Sequence, residues 1–302
     1  MIHLNQGGLI TFLAFPIIAF CRWLGTNYPE TLVRIRYFFR FKRRLNLVNP
    51  KTLNEKILYL SLKTDTTEWT RLADKAEVYY YVKECGLEDI LIPRYGCWNS
   101  LDDINLEKLP NEFVLKTTHG SGDVLIVRGE KPDKKSVVAH FKRYMKPFGA
   151  LEGGKHYMRI KPRIVAEALI RNDERSSQYS SSIIDYKLWC FNGRVEFIYV
   201  CTNRTKKSVD VMTYDRNWIA HPEYSIFMDD YKEADLIPPP ENLSRMIEIA
   251  ERLCKEFPCV RCDLYNIAGR IYFGEMTFTS VGGMDNSYSE EFLNLAGDMI
   301  EL

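Results

Sequence analysis

The 302-residue sequence has no dominant charge: forty-one Lys and Arg stand against forty Asp and Glu, a formal +1. Without a basic domain or a recognisable module, nucleic-acid binding is not expected. Histidine is scarce, at five residues, and no Ser-His-Asp or Cys-His nucleophile stands out. The longest apolar run, in "GGLITFLAFPIIAFCRWLG", covers about sixteen residues, is broken by Pro16 and ends at Arg22. That is short of the ~20 residues a spanning helix needs. Neither a basic start nor a small-residue cleavage site marks a signal peptide. There is no internal repeat, no second Cys-x-x-Cys, no Asp-x-Asp and no Walker loop, whose Gly-Lys-Ser/Thr must lead into a helix.

What is present is core material. Hydrophobic residues make up 46%, with sixteen Phe, eighteen Tyr and five Trp, as expected of an ordinary globular chain. The eight cysteines are scattered among apolar neighbours and read as free thiols of a reducing cytosol. "RIRYFFRFKRR" (34–44) interleaves aromatics with Arg34, Arg36, Arg40, Lys42, Arg43 and Arg44, and contains no acid. This suits either peripheral contact with an anionic membrane through residues 9–44 or a solvated helix packed on the main domain.

"RLADKAEVYYYVKECG" (71–86) predicts a helix ending at Gly86. "EFVLK" and "DVLIV" read as strands joined by "TTHGSG", "KKSVVAHFKRYM" as a helix, "RIVAEAL" as a strand and "RNDERSSQYSSS" as a polar loop. In "IIDYKLWCFNGRVEFIYVC", Asn192-Gly193 predicts a two-residue hairpin turn. Pairing Phe191 with Arg194 sets Cys190 opposite Val195, Leu188 opposite Phe197 and Tyr186 opposite Tyr199. Asp185 and Lys187 then point away from the apolar face. In the helix predicted over "NLSRMIEIAERLCKEF", Cys254 falls on the buried stripe. The class is α+β with antiparallel hairpins.

The stretch "CVRCDLYNIAGRIYFGEMTFTS" (259–280) offers two thiols and two acids. As a zinc site the Cys-x-x-Cys lacks ligands, since only His221 and Cys254 are near in sequence; as strand residues three apart, Cys259 and Cys262 face opposite sides. With Ile267, Ala268 and Gly269 as a three-residue turn, Asp263 falls opposite Phe273 and Arg261 opposite Glu275. Arg261, Asp263 and Glu275 then share a face. That set suits magnesium ions bridging nucleotide phosphates, or equally an exposed cross-strand salt bridge. Lys116, ahead of His119-Gly120-Ser121-Gly122, adds a point charge beside a glycine loop that lets backbone N–H groups approach phosphate.

Taken in order, "NPKTLNEKI", "LADK", "FVLKTTHGSG", "KPRIVAEALI", "DYKLWCFNG" and "VRCDLYNIAGRIYFGEMTFT" resemble the TupA-like (teichuronopeptide-biosynthesis) ATP-grasp family of bacterial surface-polysaccharide loci, over roughly residues 48–285. The resemblance implies an ATP-grasp fold, two α+β lobes clasping ATP. Residues 1–47 would form a separate N-terminal segment, 48–110 a subdomain, 111–168 a lid-like lobe and 169–302 a lobe with the metal site. It assigns Lys75, Lys116, Gly120, Ser121 and Gly122 to phosphates, Glu167 and the backbone near Leu169 to adenine, and Glu174 to the ribose. A solvated-helix role for Lys75 and a loop-charge role for Glu174 stay open. Lys187 and Arg261 would attend the transferring phosphoryl group; Asp263, Glu275 and Thr277 would hold magnesium. Thr277 replaces the Asn of the wider superfamily's E-x-N, which puts a second metal ion in question.

The implied activity is cytoplasmic or at the inner face of the plasma membrane: an ATP- and magnesium-dependent ligase joining an amine donor, such as an amino acid, to a carboxylate of a glycan or lipid-linked saccharide precursor through an acyl phosphate. The alternatives are a kinase acting on a sugar hydroxyl, a glycosyltransferase, or a glycan-binding protein that keeps the fold.

Overall fold

Two helices open the described chain, α1 (Gly8–Asn27) and α2 (Pro29–Phe41), folded back on each other around Tyr28. The structure is a computed structural model and describes residues 8–120, 122–231 and 236–302, with side chains from Pro16 onward. Among the described residues no helix is long and apolar enough to cross a membrane. Pro29 sits in the first turn of α2, where a helix does not miss its N–H. α2 buries Leu32, Val33 and Tyr37, and Val33 and Tyr37 meet Leu45, Leu47, Leu58 and Met284 of the main body.

The motif "NPKTLNEKI" starts α3 (Leu53–Lys63) with a capping box. Thr52 Oγ1 accepts from the Glu55 N–H at 3.4 Å, and Glu55 Oε2 accepts from the Thr52 N–H at 3.3 Å. Residues 71–86, expected as one helix, contribute to two, α4 (Thr67–Ala73) and α5 (Val78–Glu84). The cause is tertiary. Asp74 and Glu77 share Arg163 at 2.6 and 2.8 Å, and Arg94 donates to the Lys75 carbonyl at 2.6 Å. These bonds hold the backbone extended at Asp74 against its helical period. Gly86 ends the second helix region with φ +64, as its position predicts.

Four strands, β1 (Arg94–Trp98), β2 (Glu112–Thr117), β3 (Val124–Arg128) and β4 (Ile164–Glu167), pair antiparallel in the order β1-β4-β2-β3. This sheet begins before residue 111. Its core packs Phe113, Leu115, Val127 and Ile164 against Val137 and Phe141 of α6 (Lys134–Phe141). The short helix α7 (Lys155–Met158) precedes β4. The polar stretch 171–182, read as a loop, contains a single turn of helix, α8 (Glu174–Ser177), capped by Asp173.

The second sheet holds β5 (Asp185–Phe191), β6 (Arg194–Thr202), β7 (Asp210–Asp215), β8 (Cys259–Ile267) and β9 (Arg270–Thr277) in the order β7-β6-β5-β8-β9. α9 (Leu243–Cys254) lays its apolar stripe on one face; α10 (Glu290–Asp298) packs Phe292 against Phe197 and Tyr288.

Both hairpins of this sheet depart from their expected register. In β5–β6, Phe191 pairs with Arg194 and Cys190 with Val195 as expected, but Glu196 bulges out. Beyond it Leu188 faces Ile198, and Tyr186 faces Val200. In β8–β9 the turn has two residues, Ala268 and Gly269, both with positive φ, so Ile267 pairs with Arg270. Gly274 then bulges, which sets Asp263 opposite Glu275 and Arg261 opposite Thr277. A Cβ on Gly274 would lie 2.9 Å from the Asp263 carbonyl oxygen, so the bulge needs glycine.

Candidate active site

Tyr199, Lys187, Asp263 and Glu275 are successive partners across β6, β5, β8 and β9. Strand alternation puts them, with Arg261 and Thr277, on the face opposite α9. The shared face predicted for Arg261, Asp263 and Glu275 is therefore present, in a tighter register.

Asp263 lies deepest, 1% exposed. Arg261 Nε and Nη2 donate to its two oxygens at 2.7 and 2.9 Å, and Lys187 Nζ also contacts Oδ2. Lys187 reaches Asp185 at 2.7 Å, and Arg261 donates further to Ser280 Oγ at 2.9 Å and Thr277 Oγ1 at 3.2 Å. Burial works against the two cations, yet Asp263, helped by Glu275 at both and by Asp185 at Lys187, holds them above their ordinary pKa. Burial pushes the Asp185 carboxyl up, against the pull of Lys187, and its Oδ1 has no partner among the described residues.

Glu275 is the open end of the row, its side chain 39% exposed. Lys75 lies 3.5 Å away and Arg261 4.0 Å, and Thr277 donates to it at 3.4 Å. Burial would raise its pKa, but Lys75, Lys187, Arg261 and Lys116 together pull it down to about 2. The group is an anion at every physiological pH.

Lys75 comes from the break between α4 and α5. Its N–H donates to the Thr118 carbonyl at 2.9 Å, and its ammonium donates to the Gly120 carbonyl at 2.9 Å. It thus touches both the glycine loop and the acidic hairpin, which disposes of a merely solvated role. His119 anchors the loop from beneath: carbonyls only accept, so its Nε2 carries hydrogen and donates to Tyr144 and Lys146 at 3.1 and 2.9 Å. Gly120 has no room for a side chain, since a Cβ would lie 2.8 Å from Thr117 Oγ1. Gly122, at φ +79, faces open space. Ser121 lies outside the described residues. The hydroxyls of Thr117 and Thr118 are buried with no partner among the described residues.

Lys116 pairs with Glu167 at 2.6 Å, and Arg94 approaches the same carboxylate at 3.8 Å. With Lys75 these groups edge a cleft whose apolar walls include Val78, Tyr79, Leu91, Ile92 and Phe273. Convergent polar groups over apolar walls are the makeup that ligand sites share. Leu169 follows β4, half-buried. Glu174 is exposed on α8, with no bond to any other site residue among the described residues.

The thiols are not part of this site. Cys262 faces α9 beside Cys254 and Cys190, every cysteine is free, and burial pushes Cys259 up. Among the described residues no group of three or more His, Cys, Asp or Glu is disposed around a metal position. By donor type Glu275, Thr277 and Asp263 fit a hard divalent cation. Glu275 is open, whereas Asp263, expected as a ligand, has both oxygens held by Arg261 and Lys187 and must exchange a partner to serve.

The family model of the TupA-like ATPgrasp proteins matches residues 55–301. The chain belongs to this family. Its fold is ATP-grasp, the fold of carboxylate–amine ligase-like enzymes. Similar solved structures include the D-alanine–D-alanine ligase from Bacillus anthracis complexed with ATP, 16% identical over 83% of this chain and 72% of the ligase, with a TM-score of 0.48. The D-alanine–D-alanine ligase from Helicobacter pylori is 15% identical over 82% and 69%, with a TM-score of 0.42. Biotin carboxylase from Campylobacter jejuni is 12% identical over 83% and 53%, with a TM-score of 0.45. No curated protein matches the chain.

For this TupA-like ATP-grasp chain, motif reading missed Arg94, Ser280 and Asp185's other partner Arg204, 3.6 Å from its carboxylate. Ser280 follows directly on "EMTFT" and was within reach of that motif. Arg94 and Arg204 stand in no motif, and only folding brings them in.

Proposed function

We propose that the chain is an ATP- and magnesium-dependent ligase of capsular or surface-polysaccharide biosynthesis, working on the cytoplasmic side and joining an amine donor such as an amino acid to a glycan carboxylate. The observation that carries this reading is Lys75, which stands between the glycine loop and Glu275 and so aligns the cations of one sheet with the acids of the other. Magnesium-bound ATP would supply the phosphoryl group that turns the carboxylate into an acyl phosphate. Lys75 and Lys116 would neutralise phosphate oxygens, with the backbone of Gly120 and Gly122 closing over them and the Thr117 and Thr118 hydroxyls gaining acceptors. Glu167 and the backbone at Leu169 would border the adenine. Arg261, held in place by Asp263 and Ser280, would steady the charge that builds on the transferring group, and Lys187 would turn from Asp263 toward it. Glu275 and Thr277 would hold magnesium, joined by Asp263 once Lys187 has turned. Glu174, exposed and apart, has no part in this arrangement.

The test is mass spectrometry of glycan precursors incubated with the protein, magnesium ATP and a pool of amino acids. A new amide mass with free phosphate, absent with Glu275→Gln, is the expected result. An added phosphate mass would make the chain a sugar kinase instead. Failure to bind or turn over ATP with any acceptor would leave a glycan-binding protein.

A further inference from the structure

The helical hairpin α1–α2 has a face that the body does not cover. Every residue from Pro16 to Phe20 is exposed. Ile17 is 63% exposed, Phe20 59%, Trp23 53%, Tyr28 56% and, on α2, Phe39 67% and Phe38 48%. Phe20 stacks on Trp23 at 6.0 Å, and Trp23 meets Tyr28 at 5.6 Å, so these rings form a patch and are not scattered. The other side of the hairpin is fixed to the body. Arg36 donates to the Leu151 carbonyl, Arg43 pairs with Glu290, and Gly25 packs so closely on the Ala150 carbonyl that no side chain fits. The exposed rings are thus held on a rigid support.

Charge selects the occupant. Residues 16–44 hold seven Lys and Arg against Glu30 alone, a formal +6, so residues 45–302 must carry −5 to give the whole chain its +1. Among the described residues Arg22, Arg40, Lys42 and Arg44 have no carboxylate partner, and Lys42 lies over the Phe39 ring at 6.0 Å. Aromatics able to enter an acyl boundary, set among unpaired cations at headgroup height, complement an anionic bilayer. A second copy meeting this face would bring an equally basic ring.

We propose that the α1–α2 hairpin is a peripheral docking surface for an anionic lipid bilayer, inserting the rings of Phe20, Trp23 and Phe39 while Arg22, Lys42 and Arg44 contact headgroup phosphates. This does not rest on the catalytic reading. The test uses the full chain and two vesicle types, phosphatidylcholine alone and phosphatidylcholine with one-third phosphatidylglycerol. Sedimentation with the anionic vesicles alone is expected. Lys42→Ser with Arg44→Ser should weaken it on the order of fivefold per charge removed, and raising salt from 0.1 M to 1 M, which shortens screening from ~10 Å to ~3 Å, should weaken it for the native chain. Trp23→Ser with Phe39→Ser should abolish it while circular dichroism and thermal midpoint stay unchanged, both sites being exposed. Absence of vesicle binding overturns the proposal. So does a concentration-dependent dimer, seen by analytical ultracentrifugation, that the same ring substitutions dissolve while the vesicles capture nothing.

Discussion

Two hairpins of the five-stranded sheet, β5–β6 and β8–β9, are built to one plan. Each turns on two residues in the left-handed region, Asn192-Gly193 in β5–β6 and Ala268-Gly269 in β8–β9. Each carries a one-residue bulge in its second strand, Glu196 in the first and Gly274 in the second. They differ in what the bulge does. At Glu196 the extra residue pairs at the surface with Arg194, 3.2 Å away, and the sheet continues. At Gly274 it turns Glu275 to face Asp263, and the contacts of Glu275 with Lys75, Arg261 and Thr277 follow from that step. The difference teaches that a shared backbone device becomes functional through its neighbours.

The largest effect that would test this contrast is on turnover. Glu275→Gln should lower ligase activity by on the order of 10²–10³-fold, whereas Glu196→Gln should leave it unchanged in the same mass-spectrometric assay. Equal losses would end the distinction. Next comes the bulge itself. Gly274→Val forces a side chain onto the Asp263 carbonyl and the Tyr265 ring, 2.9 and 3.2 Å from the new Cβ. It should cost about 1–3 kcal/mol in urea denaturation and weaken nucleotide binding measured by calorimetry.

A third test concerns pH. Beyond β9, Thr279 meets Nε2 of His156 at 3.4 Å, and this imidazole is fully buried against Trp69. Burial, with help from Arg159, lowers its pKa from the usual 6.5 to about 3. The unfolded chain therefore binds one more proton between these values. Stability present above pH ~6.5 should decline toward pH ~3 by roughly 1.4 kcal/mol per unit, and His156→Phe should flatten that slope in denaturation series. Glu275 adds to the decline only below pH 4.5, since its own loss falls between pH 4.5 and about 2.

The smallest effects lie in the turns. Asn192 accepts the left-handed region readily, donates to the Met299 carbonyl at 2.6 Å and accepts from the Glu301 N–H at 3.3 Å. Asn192→Ala should cost about 1–2 kcal/mol. Ala268 holds the equivalent position at φ 49 with none of these aids, so Ala268→Asn should stabilise by about 0.5–1 kcal/mol. Opposite signs in thermal melts would bear out the parallel.

Period and turn chemistry carried most of the strands. Asn192-Gly193 announced its turn because few residue pairs accept two left-handed positions in succession, while Ala268 disguised an equivalent turn behind a residue that resists that region. The bulges left little trace in sequence. Glu196 looks like any outward strand residue, and only Gly274 hints at a backbone crowded by its partner. The break at Asp74 was illegible for another reason: the bonds that make it come from Arg94, Thr118 and Arg163. Much of the site was legible as motifs, since Lys75, Lys116, Lys187, Arg261, Asp263, Glu275 and Thr277 all stand in quoted segments and the fold gathers them. The saturation of Asp263 was not, because it depends on Lys187 arriving from a separate strand. Glu174 came from the resemblance, which does not say which way a short helix turns.

The reach of Lys75 has a mechanical consequence. Its ammonium ties the Gly120 carbonyl to the Glu275 carboxylate, so one flexible arm joins the loop of one sheet to a hairpin of the other. Parting them requires that this arm let go of one side or carry the loop with it. An incoming polyanion that drew the arm toward itself would free the loop from the hairpin as it was bound.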